Sequence, residues 1–576
     1  MACVVGWLTS AGAVAKGEAL ASDNRLQPQG LNHAGIYALR RVEPGLTGAG
    51  VRFGVVCRSF TYVKGEPQND YRPNVTHRCL NAEQFSFDDL GVILPGISPH
   101  STAICSLLFG EDPDAFNLHL GSFYYQGVVP AAKAKIYEFW HFLFNNVSAQ
   151  LPPDADVVVV GFGWPFEEWW TRGMESLAEH QGLIVVAAIG NGANACDPPL
   201  YPGAAANVIG VGVVDSVRAE DSATSLANFS LAYPEHSSSG PTTDGRCKPD
   251  IVAPGNCLAA SATEPDVYEL SGNWSSFSTP LTAGAIGLLV QKAKEQPALS
   301  LAVSPNGRNC VMKAILMNSA TKLPYWHKGR LQSDDDGVVP LDYVQGAGML
   351  NALGAYRHLL AGRHEPGEVP ATGWDLNRLD KRETVGNIYR MTVGRATDNF
   401  ITATLVWNRH YDVVYPFERN TAKDSNLRLE VWAIDPENPN NDRLLDYSDS
   451  TVDNVEHIYC GVPADYAAYE IIVSRSDLGD GSEDGAVQPY ALAWSVGEGA
   501  DTNNILWHDL NADGIVNQLD LAMLLNNSIT SMQSPDSYQL GDINNDGAID
   551  IKDVEILFEH HNRQADWRKT QDANGG

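Results

Sequence analysis

The chain has 576 residues, 44% of them apolar and 19% charged. At about 100–200 residues per domain, that length holds three or four domains with a sizeable core. Its 70 Asp and Glu against 39 Lys and Arg leave a net charge of −31, which argues against a nucleic-acid binder and against a surface that docks on anionic lipid.

Residues 1–21 are apolar and end in Ala19-Leu20-Ala21, a small-residue pattern that predicts a secretory signal despite the lack of a basic start. An exported or surface location follows, with an N-terminal extension over 22–47. No run reaches the roughly 20 apolar residues of a membrane span; Leu183–Ile189 and Leu281–Val290 are too short. Cysteines stand at 3, 57, 79, 105, 196, 247, 257, 310 and 460. Loss of Cys3 with the signal would leave eight, enough for four disulfides, and the absence of a CxxC pair argues against zinc.

From 48 to 362 short apolar runs alternate with helical stretches. Val51–Val56, Val157–Val160, Leu183–Ala188 and Val208–Val213 read as buried strands, predicting an α/β domain with a parallel sheet covered on both faces. Thr279–Lys294 reads as a central buried helix with Pro280 in its first turn. From 370 to 497 the strand-like runs Tyr389–Val393, Phe400–Trp407, Leu427–Ala433, Tyr469–Val473 and Tyr490–Val496 are separated by acidic, Asn- and Gly-rich turns, predicting an antiparallel β-sandwich. A polar linker over 498–504 leads to a repeat over 505–562, and a tail over 563–576 is expected to fray.

The repeat contains two 12-residue loops in register. The first offers Asp509, Asn511, Asp513, Asn517 and Asp520, with Gly514 for the turn and the Ile515 carbonyl. The second offers Asp542, Asn544, Asp546, Asp550 and Asp553, with Gly547 and the Ala548 carbonyl. Oxygen donors at loop positions 1, 3, 5, 7, 9 and 12 suit a hard cation such as Ca²⁺. Asp takes position 12, where an EF-hand has Glu. That replacement, the pairing and the C-terminal placement resemble a type I dockerin domain, a small α-helical module. The resemblance implies two calcium ions, with others in the remaining domains left open, and docking onto a cohesin-like receptor. Positions 10 and 11, often Ser-Thr in cellulosomal dockerins, are Gln518-Leu519 and Ile551-Lys552, so a cellulosomal partner does not carry over.

The segment Ser275-Ser276-Phe277-Ser278-Thr279-Pro280-Leu281-Thr282-Ala283-Gly284, the block around His100-Ser101-Thr102, and Ala187-Ala188-Ile189-Gly190-Asn191 occur in the order of the subtilisin-like serine peptidases. Ser238-Ser239-Gly240-Pro241 and Lys248-Pro249-Asp250-Ile251-Val252-Ala253-Pro254-Gly255 are similar to further blocks of that family. The resemblance implies Ser276 as nucleophile, His100 as general base and Asn191 as oxyanion donor, acting on a peptide or protein substrate. A monomer is expected.

Two positions depart from the family. Trp274 replaces a Gly, and Cys57 stands where the family has the acid that orients the histidine. A thiol with a pKa near 8.5 is a weak acceptor for that task. Three readings stay open: a degenerate peptidase that binds peptide or serves as a scaffold; a substitute carboxylate, with Glu138 better placed than Asp88 or Asp89; or a disulfide-bonded Cys57 with a weak site. Cys57 as a thiolate nucleophile is a further, minor reading. The sandwich resembles the jelly-roll domain that follows some bacterial subtilases, with sugar binding as the alternative. Fewer residues precede Gly48 than a signal plus an inhibitory propeptide would need.

Overall fold

The computed structural model describes residues 26–569, apart from 90, 92–93, 95, 118–119, 193–197, 215–236, 256, 324–325, 330–336, 381–385, 394–398, 478–486, 499–507 and 529–549. The expected signal, Cys3, Cys196, nearly all of the linker, and Asp542, Asn544, Asp546, Gly547 and Ala548 of the second loop lie outside the described residues.

Seven strands form the central sheet: β1 (Arg52–Cys57), β2 (Phe85–Asp88), β3 (Lys133–Glu138), β4 (Val157–Val160), β5 (Ile184–Ala188), β6 (Ile209–Val214) and β7 (Ile251–Pro254). Their order is β7-β6-β5-β4-β1-β3-β2, and every pairing is parallel. Strand side chains alternate between faces, so one set of residues serves two cores. Phe53, Val55, Val157, Val159, Ile184 and Val186 pack with helices α1 (Pro99–Phe109) and α3 (Ser275–Glu295). Val56, Val158, Val160, Val185 and Ala187 pack with Trp170, Met174 and Leu177 of α2 (Trp169–Gln181). The four valines of β4 are fully buried, which is why that strand is apolar without alternation.

Helix α3 starts at Ser275, four residues earlier than Thr279. Pro280 therefore lies inside it, past the first turn, contrary to the sequence expectation. There it withholds an N–H from the Ser276 carbonyl one turn back.

Two sheets follow. One has the order 367–368, 387–392, 468–475, 427–434, 443–448; the other has 372–380, 487–498, 399–407, 455–461. Their shared core includes Tyr389, Leu429 and Ile471 from the first and Ile401, Leu405 and Trp494 from the second. Along Leu427–Ile434, buried and half-buried residues alternate strictly, the pattern of a strand with one face on a core. This layer docks on helix α4 (Arg308–Asn318): Asn318 accepts from the Thr404 hydroxyl at 3.0 Å and donates to Ser495 at 3.2 Å. The segment 453–459 lies in the same contact, where Asp453 accepts the Cys247 N–H at 2.8 Å and Lys322 meets His457 at 2.8 Å.

Helices Gln518–Ser528 and Ile551–Glu559 share a small core of Leu510, Val516, Leu521, Leu524, Val554 and Leu557. The segment after Arg563 is ordered rather than frayed as far as it is described. Trp567 is 4% exposed, and its ring lies where a Cβ on Gly514 would approach to 2.7 Å. The Ala565 N–H closes the contact on the Gly514 carbonyl at 2.9 Å. An apolar anchor in a polar segment outweighs the composition of its neighbours.

The expectation of four disulfides fails. Cys57, Cys79, Cys105, Cys247, Cys257, Cys310 and Cys460 are all free thiols, and all but Cys460 are fully buried. They fill the core as small apolar side chains.

Candidate active site

The candidate residues gather beyond the carboxyl ends of the central strands, where open parallel sheets place ligands. His100 is the second residue of α1, a helix capped by Ser98, whose hydroxyl accepts the Ser101 N–H at 3.1 Å, and begun by Pro99. Ser276 is the second residue of α3, where a helix N-terminus favours developing negative charge. Asn191 follows β5. These three share the wall of one cleft of 420 Å³.

Ser275 fixes the amide of Asn191. Asn191 Oδ1 accepts from the Ser275 N–H at 3.0 Å and from its hydroxyl at 2.8 Å. With the oxygen engaged, the Nδ2 hydrogens are left for an oxyanion. Ser275 is a positioning residue that sequence reading passed over, because its role exists only once α3 and the end of β5 meet. Gly190 completes the corner with φ +116, and a Cβ there would lie 2.5 Å from the Ser238 hydroxyl.

His100 is held between aromatic rings, Phe60 at 4.4 Å and Phe277 at 5.5 Å between centroids. Neither ring was singled out from sequence. Across from it, a Cβ on Gly161 would come within 3.1 Å of His100 Cε1 and 2.5 Å of Ile104, so only glycine leaves the imidazole room. Burial lowers the His100 pKa to about 4. Its Nδ1 is buried without a hydrogen-bond partner. Ser276 and His100 are not hydrogen-bonded to each other; catalytic hydrogen bonds of this kind commonly tighten only around substrate.

Cys57 ends β1 in register with Glu138 of β3. Burial pushes its thiol up to about 12, with only the Ser101 hydroxyl acting the other way. It is therefore neither a thiolate nucleophile nor a disulfide partner. Glu138 does not fill the gap: its Oε2 accepts the His141 N–H at 2.9 Å as the cap of the helix 139–142, and burial raises its pKa. Asp88 pairs with Lys135 and with His141 at 2.8 Å. Asp89 is held by the Tyr71 hydroxyl at 2.6 Å and by Arg72. Among the described residues no carboxylate is hydrogen-bonded to His100 Nδ1. Trp274 lies in the cleft wall and is 40% exposed, beside Phe60, Leu270 and Glu269.

In the first 12-residue loop, Asp509 and Asp520 are buried. The Asp509 carboxylate accepts from Asp513 N–H at 3.0 Å and Gly514 N–H at 2.6 Å; that of Asp520 accepts from Leu510 N–H at 2.7 Å and Asn517 N–H at 2.8 Å. Burial, then the charges of Asp520 and Asp513, push Asp509 well above the carboxylate range. Among the described residues no three Asp, Glu, His or Cys side chains stand ready as a metal cage; the loop's donors include Asn511, Asn517 and the Ile515 carbonyl. An all-oxygen donor set under mutual repulsion fits a hard cation. Of the second loop, Asp550 and Asp553 are described and form a capping box at the start of the helix 551–559.

The subtilase family model matches residues 86–348 and the type I dockerin domain model residues 507–561. The subtilase match begins after Cys57. The subtilisin-like protease SBT6.1 of Arabidopsis thaliana is 29% identical over 272 residues, 45% of this chain and 22% of its own length. The C5a peptidase of Streptococcus pyogenes is 36% identical over 132 residues, 23% of this chain and 10% of its own. The chain thus spans less than a quarter of the length of these relatives. The solved prenylagaramide maturation protease PagA is similar at 19% identity with a TM-score of 0.38, covering 56% of this chain and 98% of PagA. The chain carries a subtilase-family domain followed by a type I dockerin domain.

Proposed function

We propose that the chain is a serine endopeptidase of low intrinsic efficiency, extracellular, and attached through its dockerin to a cohesin-like partner. The observation that supports this most is the convergence of Ser276, His100 and Asn191 on one cleft. In this reading Ser276 Oγ attacks the scissile carbonyl, its proton passes to the neutral His100, and the Asn191 amide and the N-terminus of α3 stabilise the oxyanion. His100 then returns the proton to the leaving amine. Calcium held by Asp509, Asn511, Asp513, Asn517, Asp520 and the Ile515 carbonyl would neutralise the crowded carboxylates of the first loop; Asp542, Asn544, Asp546, Asp550, Asp553 and the Ala548 carbonyl have the same part in the second.

A second reading, a peptide-binding scaffold that does not turn over, is favoured by the unpartnered Nδ1 of His100 and the neutral thiol at Cys57. In a chymotrypsin-class enzyme, neutralising the orienting acid costs about 10⁴ in kcat, near 5.4 kcal/mol at about 1.36 per decade. That loss cripples without abolishing. A fluorophosphonate probe decides between the two: labelling of the folded protein that disappears in Ser276→Ala supports the peptidase, and no labelling in either supports the scaffold.

A further inference from the structure

The first calcium loop has two sides. Its side chains and the N–H groups of Asp513 and Gly514 turn inward to the acidic centre. The carbonyls of Asp509, Leu510, Asn511 and Ala512 turn outward, and all four are capped by the N-terminal segment. Asn32 Nδ2 donates to the Asp509 carbonyl at 3.0 Å and Gln29 Nε2 to that of Leu510 at 3.1 Å. Arg41 donates to the carbonyls of Asn511 at 3.2 Å and Ala512 at 3.0 Å. Gln29 and Asn32 are almost fully buried, and Ala512, Ala565 and Trp567 belong to the same apolar cluster as Leu31 and Ile36. The segment in turn rests on the catalytic body. A Cβ on Gly30 would lie 2.6 Å from Cys257 Sγ and 3.7 Å from Leu281 of α3, and Arg40 donates to the Gln126 side chain at 2.6 Å.

We propose that the first calcium loop is an intramolecular docking surface for the helices at Gln29–His33 and Ile36–Val42, so that a divalent cation in the loop and the seating of those helices stabilise each other. This rests on the reading of 509–520 as a calcium loop, not on peptidase activity. The physical basis is that a bound cation fixes the turn, and a fixed turn presents its carbonyls in the one arrangement that Asn32, Gln29 and Arg41 match. Linkage makes the effect reciprocal.

The test uses the full chain. Hydrogen exchange followed by mass spectrometry is run in calcium and in chelator, and calcium binding is titrated calorimetrically in the wild type and in Asn32→Ala/Arg41→Ala. Calcium is expected to slow exchange both at 508–520 and at 29–42. The double variant is expected to bind calcium at the first loop at least about fivefold more weakly. Protection of 508–520 with exchange at 29–42 unchanged, or unaltered affinity in a variant whose central strands stay protected, overturns the proposal while leaving the calcium reading intact. Absence of calcium binding overturns both. Should the variant not fold, the wild-type exchange comparison decides alone.

Discussion

With Cys57 at the end of β1, no carboxylate among the described residues holds the Nδ1 of His100 or stands to share the charge of an imidazolium. The pKa of about 4 has a sign that can be checked. A general base works unprotonated, so activity is expected to persist through mildly acidic pH and fall as pH drops through about 4. Cys57→Asp places a negative charge beside the ring, raises that pKa and moves the acid limb upward. It is also expected to raise kcat/KM at pH 8 by as much as about 10⁴; a pH–rate profile of both proteins reads the two effects together. Unchanged activity and an unmoved limb would mean that the cleft, not the missing acid, limits the enzyme. Asn191→Ala is expected to lower kcat by about 10²–10³ with KM little changed, as measured by steady-state kinetics on a peptide substrate.

At the scale of elements, β7 is tied to its neighbours by a buried triad. Asp250 meets Lys248 at 2.5 Å and Lys313 at 2.8 Å and accepts the Gly210 N–H of β6 at 2.7 Å. Burial disfavours the Asp250 charge, but the two lysines win and hold its pKa below the ordinary value. Asp250→Asn leaves two buried ammonium groups around a neutral amide. It is expected to cost about 3–5 kcal/mol, read as a lowered denaturation midpoint with an unchanged m-value. These blocks were legible in sequence because Lys248-Pro249-Asp250 and Ser275–Gly284 are contiguous. The buried strands were legible because Val157–Val160 can only be interior. Strands β2 and Thr372–Asp380 were not: the first is half-exposed at the sheet edge and the second carries polar residues at most positions. Ser275, Phe60 and Gly161 act across elements distant in sequence, so no local pattern announces them. Glu138 was the favoured substitute acid because it lies in a strand-like run, 135–140, neighbouring the vacated position; what the sequence could not show is that its carboxylate caps the helix that follows.

For the whole molecule, the charge is unevenly spread. Residues 501–576 hold 13 acidic and 4 basic residues, and two Ca²⁺ would offset part of that excess. Chelation is expected to unfold or loosen the helices at 518–528 and 551–559 while leaving the central sheet intact. Calorimetry should then show a low-temperature transition shifting with calcium and a second that does not. A single transition indifferent to chelator would count against calcium in these loops. No helix among the described residues is long and apolar enough to cross a membrane.

The free cysteines have a consequence of their own. Among the described residues no disulfide closes the core, so reductant should not weaken that part of it. Six fully buried thiols spread over the catalytic body and its contact with the sandwich react with an alkylating agent only when their surroundings part, so modification rates read local opening site by site. Cys57 and Cys105, one at the end of β1 and the other on the helix that carries His100, form a built-in clock for how often the catalytic corner breathes.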